Sequence, residues 1–323
     1  MSNNSSGFSG DAINWLRGLC MGAADIIPGV SGGTVALILG HYERLVTAIA
    51  KIDVSFVRQM LTGNWAAGLN QIDARFLIGL GSGIATGIIG LASLIHYLLV
   101  HQQAYVFSLF VGMILASSYL VAKRLGKWTV THVVLILVGA VIAWLICRLT
   151  PMQSPLNPLT AFLSAVVAIC AMILPGISGA FVLLVLGMYH PITELLRGLP
   201  KGQIDLTGLV ILTTFVLGCL VGLLSFSRLL RWLLAKRHDD TMAVLVGLML
   251  GSIYKIWPFQ RPTAATAELP FKEQEFEMLW PGESSASGML VLGLLVAGVI
   301  ITLLMESVGT RLSAGHAQVA EDH

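Results

Sequence analysis

Residues 22–45 read GAADIIPGVSGGTVALILGHYERL, and residues 170–192 read CAMILPGISGAFVLLVLGMYHPI. Each stretch is apolar on both sides of a Pro-Gly-X-Ser-Gly break. The first break is Pro28 and Gly29 followed by Ser31 and Gly32; the second is Pro175 and Gly176 followed by Ser178 and Gly179. Proline removes an amide donor and clashes with the preceding turn, and glycine admits positive φ, so no continuous helix is expected through either break. Each stretch reads instead as two half-helices. In the first they are 12–27 and 33–42. The second of these is about 15 Å long at 1.5 Å per residue, too short to cross a hydrocarbon layer of about 30 Å alone.

The rest of the chain supports a membrane setting. Hydrophobic residues make up 56% and charged residues 11%, with mean hydropathy +0.83. Soluble domains carry about 25% charged residues, so this chain could not cover its own surface in water. The expected class is an all-α polytopic membrane protein. Besides the stretches around 12–45 and 159–192, apolar runs fall at 76–100, 104–122, 129–149, 207–234, 241–257 and 288–305. Each is about long enough to span or nearly span a bilayer. The net charge of +2 implies no nucleic-acid face. Residues 1–10 lack the basic start and cleavage site of a signal peptide, so the first apolar segment is expected to be kept. The four cysteines lie in apolar stretches without CxxC spacing and read as small buried hydrophobes.

The two stretches are copies. Beyond the break, Val35, Leu37, Leu39, Gly40 and Tyr42 match Val182, Leu184, Leu186, Gly187 and Tyr189. Further on, Gly83 and Gly87 match Gly218 and Gly222, and Gly112, Ser117 and Tyr119 match Gly247, Ser252 and Tyr254. Units of 1–157 and 158–323 follow. Each holds one broken hairpin, 12–45 or 159–192, and three spanning helices. If the broken segments enter and return through the same face, the units are inverted; if they span, the units are parallel. Lys123, Arg124 and Lys127 share a side with Arg231, Lys236 and Arg237 only in the inverted case. The loop equivalent to 231–237 in the first unit, His101-Gln102-Gln103, carries no Lys or Arg. Inverted repeats, with both termini in the cytoplasm, are therefore the expected arrangement.

Ser31 is a natural N-cap, and the amides of Gly32, Gly33 and Thr34 follow it at a half-helix start. With the positive end of the helix dipole they make a generic anion site. Ser178, Gly179 and Ala180 repeat the pattern, and two such ends meeting near the midplane form the binding plan of many inverted-repeat transporters. The competing reading makes both breaks packing hinges, with glycines for close helix approach. Asp25 stands three residues before Pro28, where the other copy has Met172. It is either a proton or sodium site, a partner for a basic residue, or a helix-end acid wetted from the cytoplasm. Tyr42, Glu43 and Arg44 leave the first hairpin where Tyr189 leaves the second, as gate residues or solvated interface. Arg148 ends an apolar run and either snorkels outward or guides an incoming phosphate. Glu194, Lys255 and Glu306 read as interfacial. The GxxxG pairs read as packing seams. There is no GxSxG, HExxH, P-loop lysine or paired-His spacing, so neither an enzyme nor a metal or other cofactor is expected.

The quoted motifs resemble the polyprenyl-phosphate transporter family of bacteria and archaea, called PopT, over residues 11 to about 310. The resemblance implies return of undecaprenyl phosphate, the lipid carrier of cell-wall precursors, from the outer to the inner leaflet of the bacterial cytoplasmic membrane. On that reading the partners are the polyprenyl phosphate lipid and the membrane, with oligomers allowed. From the residues alone a proton- or sodium-coupled transporter of a small soluble anion stays open, and so does an intramembrane lipid phosphatase or transferase with its nucleophile and base joined only in the fold.

Overall fold

A computed structural model describes residues 8–27, 31–152, 154–264, 266, 268, 269, 274, 276–284 and 286–321. The chain begins with α1 (Phe8–Asp25), α2 (Gly32–Ile38), α3 (Tyr42–Ala50), α4 (Val54–Leu61), α5 (Trp65–Gln71), α6 (Ala74–Lys123) and α7 (Val130–Cys147). It continues with α8 (Pro158–Ile173), α9 (Gly179–Val185), α10 (Tyr189–Gly198), α11 (Leu206–Lys236), α12 (His238–Ser252) and α13 (Gly288–Glu321). A two-stranded sheet, β1 (Gln260–Pro262) and β2 (Phe276–Met278), lies between α12 and α13.

Among the described residues, α6, α7 and α11 are long and apolar enough to cross a membrane. A fourth candidate arises if α9 and residues 189–201, bent by 108°, count as one span. α8 and residues 288–304 are shorter apolar helices. Only 17% of the apolar window of α7 is buried inside the protein, and Val130, Leu137 and Leu145 are exposed on it. Such a face needs lipid as its solvent.

Three expectations are corrected here. The segments at 76–100 and 104–122 are not separated by a loop: α6 runs through both, interrupted only at Gln102 (φ −138°, ψ 32°). Arg237, at the matched place between α11 and α12, has nearly the same backbone (φ −137°, ψ 53°). One non-helical residue leaves fewer backbone groups unpaired than a loop does, which suits a chain bend beside lipid. The segment at 241–257 is helical only to Ser252 and continues as a 3₁₀ turn over Ile253–Ile256. Third, the chain is not wholly α. Residues 258–287 include the antiparallel pair β1 and β2, with Arg261 opposite Glu277 and their side chains ion-paired. Opposite charges facing across two strands stabilise this short ladder.

The GxxxG glycines are packing seams, as the sequence suggested. A Cβ on Gly83 or Gly87 would overlap the carbonyl oxygens of Trp15 or Leu19 on α1. A Cβ on Gly218 would overlap that of Phe162 on α8, and one on Gly222 would lie 2.8 Å from that of Val166. Gly112 meets Leu295 of α13 as Gly247 meets Ile136 of α7. All of these glycines contact a neighbouring helix at a distance only a missing side chain permits. α8 begins with a capping box: Asn157 Oδ1 accepts from Thr160 N (2.9 Å) and Thr160 Oγ1 accepts from Asn157 N (3.2 Å), with Pro158 in the first turn.

Candidate functional site

The two broken stretches meet. α1 ends at Asp25, and Pro28 and Gly29 lie outside the described residues. The chain resumes at Ser31, whose extended backbone (φ −126°, ψ 142°) caps α2. Ser31 Oγ accepts from Gly33 N (3.0 Å) and reaches the carbonyl oxygens of Met172 (3.2 Å) and Leu174 (3.4 Å) at the end of α8. Thr34 Oγ1 accepts from Gly176 N (2.8 Å), and Tyr42 donates its hydroxyl to the Ile173 carbonyl (3.0 Å). The second tip is shaped by Pro175 and by Gly176, which sits at φ +87°. Ser178 caps α9, accepting from Phe181 N at 3.4 Å.

These bonds correct the expectation of free amides at the first tip. Gly32 N donates to Asp25 Oδ1 at 2.6 Å, Gly33 N to Ser31 Oγ, and Thr34 N to the Ser31 carbonyl at 2.9 Å. Buried amides seldom stay unpaired, and the acid seven residues upstream supplies the acceptor at this tip. Asp25 therefore occupies the place a bound anion would take. Ser31, Gly32, Gly33 and Thr34 are all buried in the junction.

A narrow, partly open cavity of about 30 Å³ lies beside the junction, lined by Asp25, Ser178, Ala180, Phe181, Tyr189 and Lys255 among others. Four expected site residues, Asp25, Ser178, Ala180 and Tyr189, come together there; Gly179 is buried behind them, its Cβ position 2.7 Å from the Ala168 carbonyl oxygen. Arg148 lines an adjoining, partly open cavity of about 170 Å³ that shares Phe181, Leu184 and Lys255 with the first. On sequence alone Lys255 reads as interfacial. Its Nζ stands 4.4 Å from the centre of the Phe181 ring, over the second tip. One signal could have found it: like Asp25, it is a charged residue whose counterpart in the other copy, Leu120, is apolar.

Glu43 and Arg44 lie away from both cavities. Glu43 Oε1 is 3.0 Å from His238 Nε2 at the start of α12, a contact between the two halves. That hydrogen bond holds the His238 imidazole above its ordinary pKa. Arg44 pairs with Asp73 (2.7 Å) and stacks over Phe76 (4.3 Å). Arg124 to Glu306 (2.8 Å) and Arg228 to the Ile52 carbonyl (2.8 Å) also join the halves. Among the described residues no group of three His, Cys, Asp or Glu could hold a metal ion.

A family model described as undecaprenyl phosphate translocase-like matches residues 21–272. A polyprenyl-phosphate transporter of Vibrio cholerae serotype O1 is 38% identical over 302 residues, 90% of this chain and 95% of the relative. A polyprenyl-phosphate transporter of Staphylococcus aureus is 30% identical over 258 residues, 76% of this chain and 86% of the relative. No solved structure matches the chain.

Proposed function

The chain belongs to the undecaprenyl phosphate translocase-like family, and we propose that it carries undecaprenyl phosphate from the outer to the inner leaflet of the cytoplasmic membrane, recycling the lipid carrier. The observation that carries this reading is the cavity at the meeting of the two tips, with Ser178 and Lys255 on its polar side and Phe181 and Leu184 on its apolar side. A phosphate monoester on a long apolar chain needs both: a dry path cannot pass a dianion without hydrogen-bond donors.

In this proposal the halves are inverted repeats, each a re-entrant hairpin plus three spanning segments. The matched interruptions at Gln102 and Arg237 and the matched glycine seams support it. Ser31, Gly32, Gly33 and Thr34 from one face, and Ser178, Gly179 and Ala180 from the other, flank the phosphate path. Pro28, Gly29, Pro175 and Gly176 are its hinges. Tyr42, Glu43 and Arg44 gate the cytoplasmic side, where the Glu43 to His238 contact holds the halves together, and Tyr189 and Arg148 gate the outer side. Asp25 is the coupling group: its carboxylate and the phosphate compete for the Gly32 amide, so the phosphate advances when a proton or sodium ion neutralises Asp25.

The topology is tested with single cysteines at Asn64, Gln102, Lys127, Gln153, Gln203 and Glu275, labelled in intact cells after the native cysteines are replaced. Outside labelling is expected at 102, 153, 203 and 275 only. Labelling at 64 with none at 203 would sink the inverted arrangement.

The phosphate path is tested with the two capping serines. A charge-assisted hydrogen bond contributes roughly 1.5–3 kcal/mol. Ser178→Ala is therefore expected to weaken polyprenyl-phosphate binding about tenfold, the equivalent of about 1.4 kcal/mol. Ser31→Ala acts through the junction, leaving Gly33 N unpaired at a cost of about 1–3 kcal/mol. The double variant should exchange lipid clearly more slowly than either single one. Thr86→Ala, which loses only an exposed bond to the Ser82 carbonyl, should be mild. Wild-type binding by the double variant would make the tips plain hinges.

A further inference from the structure

We propose that Tyr189 and Ser178 are the residues that shut the tip cavity, by donating their hydroxyls to the backbone carbonyls at the end of α1. This deepens the function proposed above and rests on its matched halves. The broken stretches align with Ser31 at Ser178 and Tyr42 at Tyr189. The same alignment sets Asp25, Ile26 and Ile27 against Met172, Ile173 and Leu174. One of the two equivalent contacts is made in the structure. Tyr42, 1% exposed, donates to the Ile173 carbonyl at 3.0 Å, and Ser31 Oγ stands 3.2 Å and 3.4 Å from the Met172 and Leu174 carbonyl oxygens. The first tip is thereby sealed onto the end of α8. The counterparts of Tyr42, Ser31, Met172 and Ile173 are Tyr189, Ser178, Asp25 and Ile26, and all four line the narrow open cavity. Tyr189 is only half-buried there.

Two chemically equivalent interfaces, one sealed and one open, are what a rocking motion between matched halves requires. Transferring the made contact to the unmade one places the Tyr189 hydroxyl on the Ile26 carbonyl, and the Ser178 hydroxyl on that of Asp25 or Ile27. The last carbonyls of a helix lack intrahelical partners, so the ends of α1 and α8 both offer acceptors. The exchange is nearly even in hydrogen bonds, since those given up around Tyr42 and Ser31 are regained around Tyr189 and Ser178. One tie is not regained. Thr34 Oγ1 accepts from Gly176 N at 2.8 Å, and the counterpart of Thr34 is Phe181, which has no hydroxyl. That bond biases the protein toward the arrangement seen, with the cavity open. Ser178 cannot serve two partners at once. While it holds a phosphate the cavity stays open, and once the head has left, its hydroxyl is released to seal the path behind it.

The test uses the full-length protein in nanodiscs, with the four native cysteines replaced and Thr34→Cys as the reporter. Thr34 is 0% exposed, so a soluble maleimide reaches a thiol there only when the first contact opens. The reporter also removes the Thr34 tie, which makes the second arrangement easier to populate. Tyr189→Phe should lower the labelling rate about threefold, the size of effect one hydrogen bond sets, because the contact that replaces the first is weakened. Tyr42→Phe should raise the rate by a similar factor; if that variant does not fold, Ser31→Ala takes its place with the same expected sign. Opposite signs are the signature, since a tyrosine that only holds the fold together would raise labelling in both variants. Leaflet exchange of polyprenyl phosphate, measured on the protein without the reporter, should be slower in Tyr189→Phe than in wild type. Labelling that rises or stays unchanged in Tyr189→Phe, with wild type still exchanging lipid, would overturn the closing role alone. No exchange by wild type would overturn the transport function, and opposite labelling signs would then still support the paired contacts.

Discussion

Asp25→Asn is expected to bind polyprenyl phosphate about tenfold more tightly than wild type and to lose gradient-driven exchange altogether. Asn keeps the side-chain oxygen that accepts from Gly32 N at 2.6 Å, so the tip keeps its shape. What disappears is the negative charge facing the incoming phosphate. A charge-assisted bond to an amide exceeds a neutral one by roughly 1 kcal/mol or more, and like-charge repulsion adds to that, which together make up about 1.4 kcal/mol or a factor of ten. With no group left to neutralise, an imposed proton or sodium gradient has nothing to act on. The check is a binding titration plus leaflet exchange across a pH series, with and without each gradient. Wild-type affinity and a wild-type gradient response would reduce Asp25 to a cap for Gly32. Asp25→Ala is the contrasting change: it removes the acceptor as well, leaving a buried amide unpaired at a cost of about 1–3 kcal/mol.

Gly176→Val should be the most damaging single change at the junction. Gly176 sits at φ +87°, and a Cβ there would lie 2.7 Å from the Leu248 carbonyl oxygen of α12. Left-handed backbone costs about 1–2 kcal/mol for a residue with a Cβ, a β-branched residue costs more, and the contact with the α12 backbone cannot relax by a side-chain rotation. The amide of Gly176 would also move off Thr34 Oγ1, parting the two tips. Thermal unfolding in detergent should fall by several degrees, since ~1 kcal/mol shifts the midpoint of a chain of 150–250 residues by about 2–4 °C, and exchange should drop below a tenth of wild type. Gly40→Val isolates the backbone effect: Gly40 is at φ +71° but has nothing within 4 Å of its Cβ position. Equal loss in the two variants would mean that the approach to Leu248 has no special weight.

The broken stretches and the glycine seams were legible because proline, glycine and their spacing constrain backbone locally. Ser31 and Ser178 could be named as caps for the same reason. The pairing of Asp25 with Gly32 was not legible, because it depends on how the chain turns through the break, and sequence states only that an acid and an amide stand seven residues apart. The place of Lys255 above Phe181 of α9 is not legible either, because it joins segments more than seventy residues apart in the chain. Gln102 could not be read as a one-residue break, since Gln is an ordinary helix former. The strands at 260–262 and 276–278 were hidden among prolines and glutamates, where only the Arg261 and Glu277 pairing across the ladder reveals a register.

The most direct test is leaflet exchange by the purified wild-type protein in sealed liposomes carrying polyprenyl phosphate in the outer leaflet. Transfer to the inner leaflet should exceed that of protein-free vesicles by well over tenfold, with no release of inorganic phosphate and with no uptake of soluble phosphate in the absence of the lipid. Exchange no faster than in protein-free vesicles, at confirmed insertion and folding and under either gradient, would contradict a polyprenyl-phosphate translocase; uptake of soluble phosphate in its place would turn the tip junction into a site for a small anion.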